Sequence, residues 1–344
     1  MSTNNEPQEK SGQFNTHGSV IKRQHQRLNK ALELESIDKF SFEELFSETL
    51  KHRDVRQIEE LYLAGGTSTT PDITEVQTGW PKPWLFVRTF GFMAMSYATL
   101  VTSFYYWENI NLIPGIIFIG CFAMPITVVT FFFELNSPRN VSYVSLIRAL
   151  ILGGTLALMS ALILFENTRS LEWLGDSVAG IAEEPAKLIA LLLISRQGNY
   201  PYILNGLLLG AAVGAGFAAF ESMGYAFQVL LATGTHNDYL NNISLRGLLS
   251  PFAHIAWTAM IGGALWRVMN GNKFNISMLT EPKFWKVFLY AVILHSIWNL
   301  PFELPLMIKY AVLGLASWVV LLGLFHEGYM QVQKVQQNQK FKAG

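Results

Sequence analysis

Beyond residue 84 the chain is a succession of apolar segments of bilayer length, separated by short polar connections. They fall at 86–107, 110–134, 143–165, 171–195, 202–232, 247–268, 284–304 and 305–327. A helix needs about 20 apolar residues to cross about 30 Å of hydrocarbon. The pattern therefore predicts an all-α, polytopic transmembrane helical bundle of about eight spans. The fifth segment is long enough to tilt or to reach past the bilayer. Only the Pro301–Pro305 stretch divides the seventh from the eighth.

The first 83 residues follow a different pattern. Residues 1–27 are polar and rich in Asn, Gln and Ser, a composition that predicts disorder. From Leu28 to Leu63, apolar positions such as Leu32, Leu45, Phe46, Ile58 and Leu61 recur at spacings of three and four, which predicts a helical cytoplasmic segment. Ser41 followed by Glu44 has the form of a capping box. Gly65 and Gly66 end the helical pattern, and 65–83 reads as a linker closing on Trp80 and Trp84 at the membrane interface. The expected organisation is a disordered N-terminus (1–27), a cytoplasmic helical segment and linker (28–83), a transmembrane domain (84–327) and a cytoplasmic tail (328–344). The N-terminus lacks the apolar core of a signal peptide, so the first membrane segment is expected to be internal and uncleaved.

Composition sharpens this picture. The chain is 51% hydrophobic and 15% charged, against about 25% charged in an average soluble domain. Its formal net charge is zero, so no basic field suggests a nucleic-acid partner. Basic residues are concentrated before Pro83, at Arg139, Arg196, Arg267, Lys273, Lys283 and Lys286, and in the tail, whereas the alternate connections hold Arg169 and Arg246. By the positive-inside rule both termini are expected in the cytoplasm, the spans are even in number, and 234–246 forms an external loop. The single cysteine, Cys121, lies in an apolar run, so no disulfide framework is available within the chain.

Several side chains are out of place in hydrocarbon. Glu183, Glu184 and Lys187 fall in the fourth span, Glu221 in the fifth, His254 in the sixth, and His295 with Asn299 in the seventh. Each charged group at mid-bilayer costs about 2.5–3.5 kcal/mol even on the lenient insertion scale. Mutual pairing or a functional site must offset that cost. Helical spacing puts each on a face of small or polar residues. Glu183 shares a face with Ala179, Ala186 and Ala190. Glu221 follows the row Gly206, Gly210, Gly214 and Ala218; His254 aligns with Ser250, Thr258 and Gly262; and Ala291, His295 and Asn299 fall in line. Such rows let spans approach closely, so the four spans are expected to converge on one site. Taken singly, Glu183 or Glu184 with Lys187 reads equally well as a structural ion pair, and each histidine as an interhelical hydrogen-bonder.

The motifs also carry a resemblance. AEEPAK sets Glu183 and Glu184 before Lys187, GFAAFE sets Phe217 before Glu221, His254 precedes Gly262 by eight residues, and HSIWN joins His295 to Asn299. In order and in span placement these resemble the PrsW family of intramembrane proteases, a branch of the superfamily that holds the CAAX prenyl endopeptidases and bacteriocin-immunity membrane proteins. The resemblance runs from about Trp84 to Phe325. It implies a membrane-embedded endopeptidase of the cell membrane acting on a membrane-anchored protein, in PrsW itself an anti-sigma factor. It also implies Glu183, Glu184 and His254 as central catalytic positions, completed by Glu221, His295 and Asn299. The wider superfamily usually has His where this chain has Glu221, whereas the PrsW branch has Glu. Residues 1–83 lie outside the resemblance and are free to bind a cytoplasmic regulator.

The residues leave two routes to peptide hydrolysis. No GxSxG motif is present, and Cys121 has no catalytic motif beside it. Water is then the nucleophile. Glu183, Glu221, His254 and His295 match a catalytic zinc shell that keeps a position open for water. A metal-free route would use Glu183 or Glu184 as general base, with His295 and Asn299 at the oxyanion and Lys187 holding a carboxylate in place. Two non-proteolytic classes use similar residues: a proton-coupled transporter, and a non-catalytic scaffold or immunity-type membrane protein.

Overall fold

A computed structural model describes residues 27–35, 40–66, 68–196, 200–302 and 304–343. The expected disorder of residues 1–27 lies outside the described residues except for Arg27. Among the described residues the chain is all-helical. The principal helices are α1 (Val55–Leu63), α2 (Leu85–Trp107), α3 (Ile113–Leu135), α4 (Tyr143–Asn167), α5 (Val178–Ser195), α6 (Ile203–Thr233), α7 (His236–Leu249), α8 (His254–Met269), α9 (Pro282–Trp298) and α10 (Ile308–Ala343).

Six stretches are long and apolar enough to cross a bilayer: Leu85–Trp107, Ile110–Leu135, Tyr143–Asn167, Ile203–Thr233, His236–Met269 and Pro305–Phe341. The fourth and seventh predicted spans are present as α5 and α9. The first of these carries Glu183, Glu184 and Lys187, and the second has 17 residues, so neither qualifies on length and composition alone. Both pack among the six.

α6 is the axis of the bundle, touching α3, α4, α5, α7, α8 and α10. Its most apolar stretch is 94% buried, against 11% for α2, which faces outward. The central position follows from sequence. Gly206 and Gly214 of α6 meet the Gly262 and His254 carbonyls of α8, where an added Cβ would lie 2.5 Å from either oxygen. Gly210 meets the Thr258 carbonyl in the same way, and Gly216 packs on Leu150 and Gly154 of α4. Small residues on one face therefore set the α6–α8 approach and its register.

Four boundaries differ from the expectation, each for a local reason. The fourth span begins at Val178, because Gly175 takes φ 58° and breaks the helix before it. The 234–246 stretch is helical, as α7, and buries Tyr239 and Ile243. The row Ser250–His254 is not one helical face, since Pro251–Ala253 kinks the chain and α8 starts afresh at His254. α10 continues through the expected tail to Ala343.

The predicted 28–63 helix is instead broken into short pieces, with one turn at Phe42–Leu45 capped by Ser41 and α1 capped by a box of Asp54 and Gln57. These pieces pack on the membrane helices through buried Leu32, Leu34, Leu45, Leu61 and Val76. Gln336 of α10 donates to the carbonyls of Ile73, Thr74 and Val76. Glu134 of α3 accepts the free N–H groups of Trp84, Leu85 and Phe86 at the start of α2, at 2.7–2.9 Å. That satisfies donors a helix N-terminus leaves open.

Candidate active site

The predicted residues meet near one end of the bundle. Glu183, Glu184 and Lys187 project from the middle of α5, Glu221 from α6, His254 from the first residue of α8, and His295 from the last turn of α9. At a rise of about 1.5 Å per residue, Glu183 lies about 18 Å from Ser195 and His295 about 20 Å from Pro282. The cluster is thus nearer the end of the connections 168–177 and 299–307 than the basic end. α5 reaches α9 because Gly180 lies against the backbone of Val292 and Ser296. The α6–α8 glycine row brings Glu221 to His254.

Glu184 is the anchor. It is fully buried, and its Oε1 accepts from Lys187 Nζ at 2.6 Å and from His295 Nδ1 at 2.7 Å. A carboxylate on Nδ1 puts the hydrogen there and leaves the Nε2 lone pair of His295 pointing elsewhere. That nitrogen is 3.7 Å from Glu183 Oε2. His254 has the mirror arrangement. Its Nε2 is 3.1 Å from Glu221 Oε2, while Nδ1 is 3.8 Å from Glu183 Oε2 and 3.1 Å from Lys187 Nζ. Each imidazole is thus held by a carboxylate on one nitrogen; the free nitrogen of His295 faces Glu183, and Nδ1 of His254 accepts from Lys187 Nζ beside Glu183.

Glu183 and Glu184 each leave their Oε2 buried without a hydrogen-bond partner; the Glu183 Oε2 is the one that faces both imidazoles, 4.0 Å from Lys187 Nζ. Glu183, His254 and His295 each offer one ligand atom, and the three atoms lie within 4.8 Å of one another. Ligand atoms about 2.1 Å from a tetrahedral ion sit about 3.4 Å apart. The donor set, the spacing and the orphaned oxygen therefore fit a divalent metal. Charge agrees: three carboxylates face Lys187 and Arg246, leaving one negative charge if both imidazoles are neutral.

Two expected roles are placed differently. Glu221, expected as a fourth ligand, stands outside the trio, 3.1 Å from the far nitrogen of His254. Asn299 caps α9 one turn past His295, and its amide donates to the Asp176 carbonyl at 3.4 Å. It makes no bond to the carboxylates or imidazoles among the described residues, and ties the end of α9 to the approach to α5.

Two contributors escaped the sequence reading. Trp257 stacks on His295 with ring centroids 4.4 Å apart, and its position three residues after His254 was the available signal. Arg246 of α7 bonds Glu221 at 2.6 Å, which the expected external loop concealed. Phe217 completes the apolar wall, 5.2 Å from the His254 ring and 4.7 Å from Lys187 Nζ.

A helical integral membrane protein that buries carboxylates, imidazoles and an ammonium between its membrane helices belongs to the class that conducts chemistry or ion movement inside the bilayer. Residues 116–325 match the model of the PrsW family intramembrane metalloproteases, and the chain belongs to that family. No curated protein and no solved structure matches it.

Proposed function

We propose that this chain is an intramembrane endopeptidase that hydrolyses a peptide bond of a membrane-anchored protein with water activated beside Glu183, His254 and His295. The observation that carries this reading is the Glu183 oxygen, buried and without a partner between two imidazole nitrogens at 3.7 and 3.8 Å. Glu184 Oε2 is also without a partner, but the Glu184 carboxylate is tied through Oε1 to Lys187 and His295, whereas Glu183 Oε2 faces the two imidazoles with no bond to either.

Glu183 Oε2, His254 Nδ1 and His295 Nε2 would hold the metal, with Lys187 giving up its contact to Nδ1 and keeping its bond to Glu184; the donor set suits Zn2+. When bound, such an ion polarises a carbonyl and lowers the pKa of water to about 7. Glu183 is the proton acceptor for the attacking water. Glu184 and Glu221 fix the imidazole tautomers. Lys187 neutralises Glu184 and brings positive charge within reach of the oxygen that becomes anionic. Trp257 and Phe217 fix the ring planes and keep bulk water from the trio, which strengthens each of these interactions.

The substrate we propose is a membrane-anchored regulatory protein of the anti-sigma-factor kind, cut in the cell membrane. The basic-residue asymmetry supports an orientation with both termini in the cytoplasm. In that orientation residues 1–83 would be available to bind a cytoplasmic regulator.

The test is purified protein in detergent with a single-span peptide substrate, with and without a chelator. Cleavage that stops on chelation and returns with Zn2+ is the expected result. Cleavage indifferent to chelation would select the metal-free route. Absence of cleavage together with proton-coupled uptake in vesicles would replace the protease reading with transport.

A further inference from the structure

Arg246 is a charged residue in a stretch whose composition suggested only a connection, yet it reaches the active-site cluster. α7 lays its guanidinium across one turn of α6. Nη2 donates to Glu221 Oε2 at 2.6 Å, Nε donates to Ser222 Oγ at 2.9 Å, and the guanidinium carbon lies 4.4 Å from the centre of the Tyr225 ring. The oxygen that takes the Arg246 bond is the same oxygen that faces His254 Nε2 at 3.1 Å. The side chains of Arg246 and Glu221 are 26% and 18% exposed, so the pair lies on the accessible flank of the cluster, while Glu184 and Lys187 are sealed.

We propose that Arg246 is a positioning residue for His254, acting through Glu221; this rests on the hydrolytic reading of the site. The planar fork of Arg246 spans two neighbouring residues, one bond to Glu221 Oε2 and one to Ser222 Oγ, so the guanidinium is fixed on α6 and holds that carboxylate oxygen in place. With Glu221 so held, its oxygen is an acceptor aimed at His254 Nε2. That nitrogen carries the hydrogen, and Nδ1 keeps its lone pair on the inner side of the ring, where Lys187 Nζ lies at 3.1 Å and Glu183 Oε2 at 3.8 Å. Without Arg246, Glu221 keeps one partner and is free to rotate on the partly exposed flank, and the His254 ring loses its fixed tautomer. His295 has no such dependence, because Glu184 is braced from within α5 by Lys187.

The experiment measures kcat and KM on a single-span peptide, together with Zn2+ affinity by competition with a chromophoric chelator. The full-length proteins are wild type, Arg246→Ala, Arg246→Lys, Glu221→Gln and the Arg246→Ala/Glu221→Gln double variant. Loss of an outer partner of a metal-binding histidine costs about 10–100-fold. Arg246→Ala is expected to lose that factor in Zn2+ affinity and in kcat, with KM within about twofold because the effect falls on the reacting centre. Arg246→Lys, which keeps the charge without the fork, is expected to lose less. In the double variant the Arg246 change should add nothing to Glu221→Gln, since both act through one oxygen. If Arg246→Ala does not fold, Arg246→Lys alone and combined with Glu221→Gln carries the same comparison. Losses that multiply in the double variant overturn the proposal, as do Arg246 variants equal to wild type in both readouts. An active wild type with unaffected Arg246 variants overturns this inference alone. A wild type that neither cleaves nor binds Zn2+ overturns the hydrolytic reading and this inference with it.

Discussion

α8 and α9 each carry an ionisable group at both ends, and the two ends solve the same problem differently. At the basic end, Arg267 of α8 pairs through Nε with Glu327 of α10 at 2.7 Å, and its Nη atoms donate to the carbonyls of Leu32 and Glu33. Lys286 of α9 pairs with Glu33 at 2.5 Å, and Glu327 also accepts from the Glu35 N–H. Every guanidinium nitrogen there has an acceptor. At the other end, His254 and His295 converge on a carboxylate oxygen that has no hydrogen bond. Both clusters bury charge, so burial alone does not mark a functional site. What distinguishes them is that the site leaves the Oε2 atoms of Glu183 and Glu184 unsatisfied, and both imidazoles converge on that of Glu183, a local cost that stability does not explain.

Substitution on the two sides should separate them. On the proposed reading Glu183→Gln removes both a metal-holding oxygen and the proton acceptor, and is expected to slow cleavage by at least about 10²–10⁴-fold. Because that oxygen has no bond to lose, the thermal midpoint should stay level or rise. Glu327→Gln should do the reverse. It leaves Arg267 buried beside a neutral partner, and breaking a buried pair costs about 3–5 kcal/mol. Chemical or thermal unfolding in detergent should register that loss, while the rate per folded molecule holds. If Glu183→Gln unfolds the protein and Glu327→Gln spares it, the assignment of the two clusters is inverted.

Smaller effects sharpen the comparison. Gly214→Ala puts a methyl group 2.5 Å from the His254 carbonyl and must push α8 away from α6. Overpacking of this kind costs about 1–3 kcal/mol, and here it should also slow cleavage by shifting His254 relative to Glu221. Gly91→Ala, where nothing lies within 4 Å, should do neither. Glu33→Gln is expected to have the least effect, since surface pairs contribute little. The Lys286 ammonium beside Glu33 holds its carboxyl below the usual carboxylate range. That bridge's contribution is therefore present at neutral pH and lost only as pH falls through the lowered value. A midpoint that drops on acidification in wild type, and drops less in Glu33→Gln, would confirm the sign.

Much of this was legible in the chain, and the gaps have physical causes. Spans could be read because hydrocarbon demands long apolar helices. The convergence of Glu183, Glu221, His254 and His295 could be anticipated because each lies on a small-residue face, and only such faces let helices meet closely. Individual roles were less accessible. Whether Glu221 ligates or orients depends on which side of the His254 ring it reaches, and the kink at Pro251–Ala253 decides that. Arg246 was hidden because α7 is polar enough to resemble a loop; its partner is 25 residues away and is fixed only by helix packing. The broken 28–63 segment likewise took its shape from the membrane helices it covers, not from its own periodicity.

The central claim is that Glu183, His254 and His295 act as one site, and residues that act as a unit show non-additive losses. The most direct measurement is the cleavage rate per folded molecule for Glu183→Gln, for His295→Ala and for the two combined. The double variant is expected to be no slower than the slower single variant. Losses that multiply would mean that the two residues contribute independently, and would contradict a shared site.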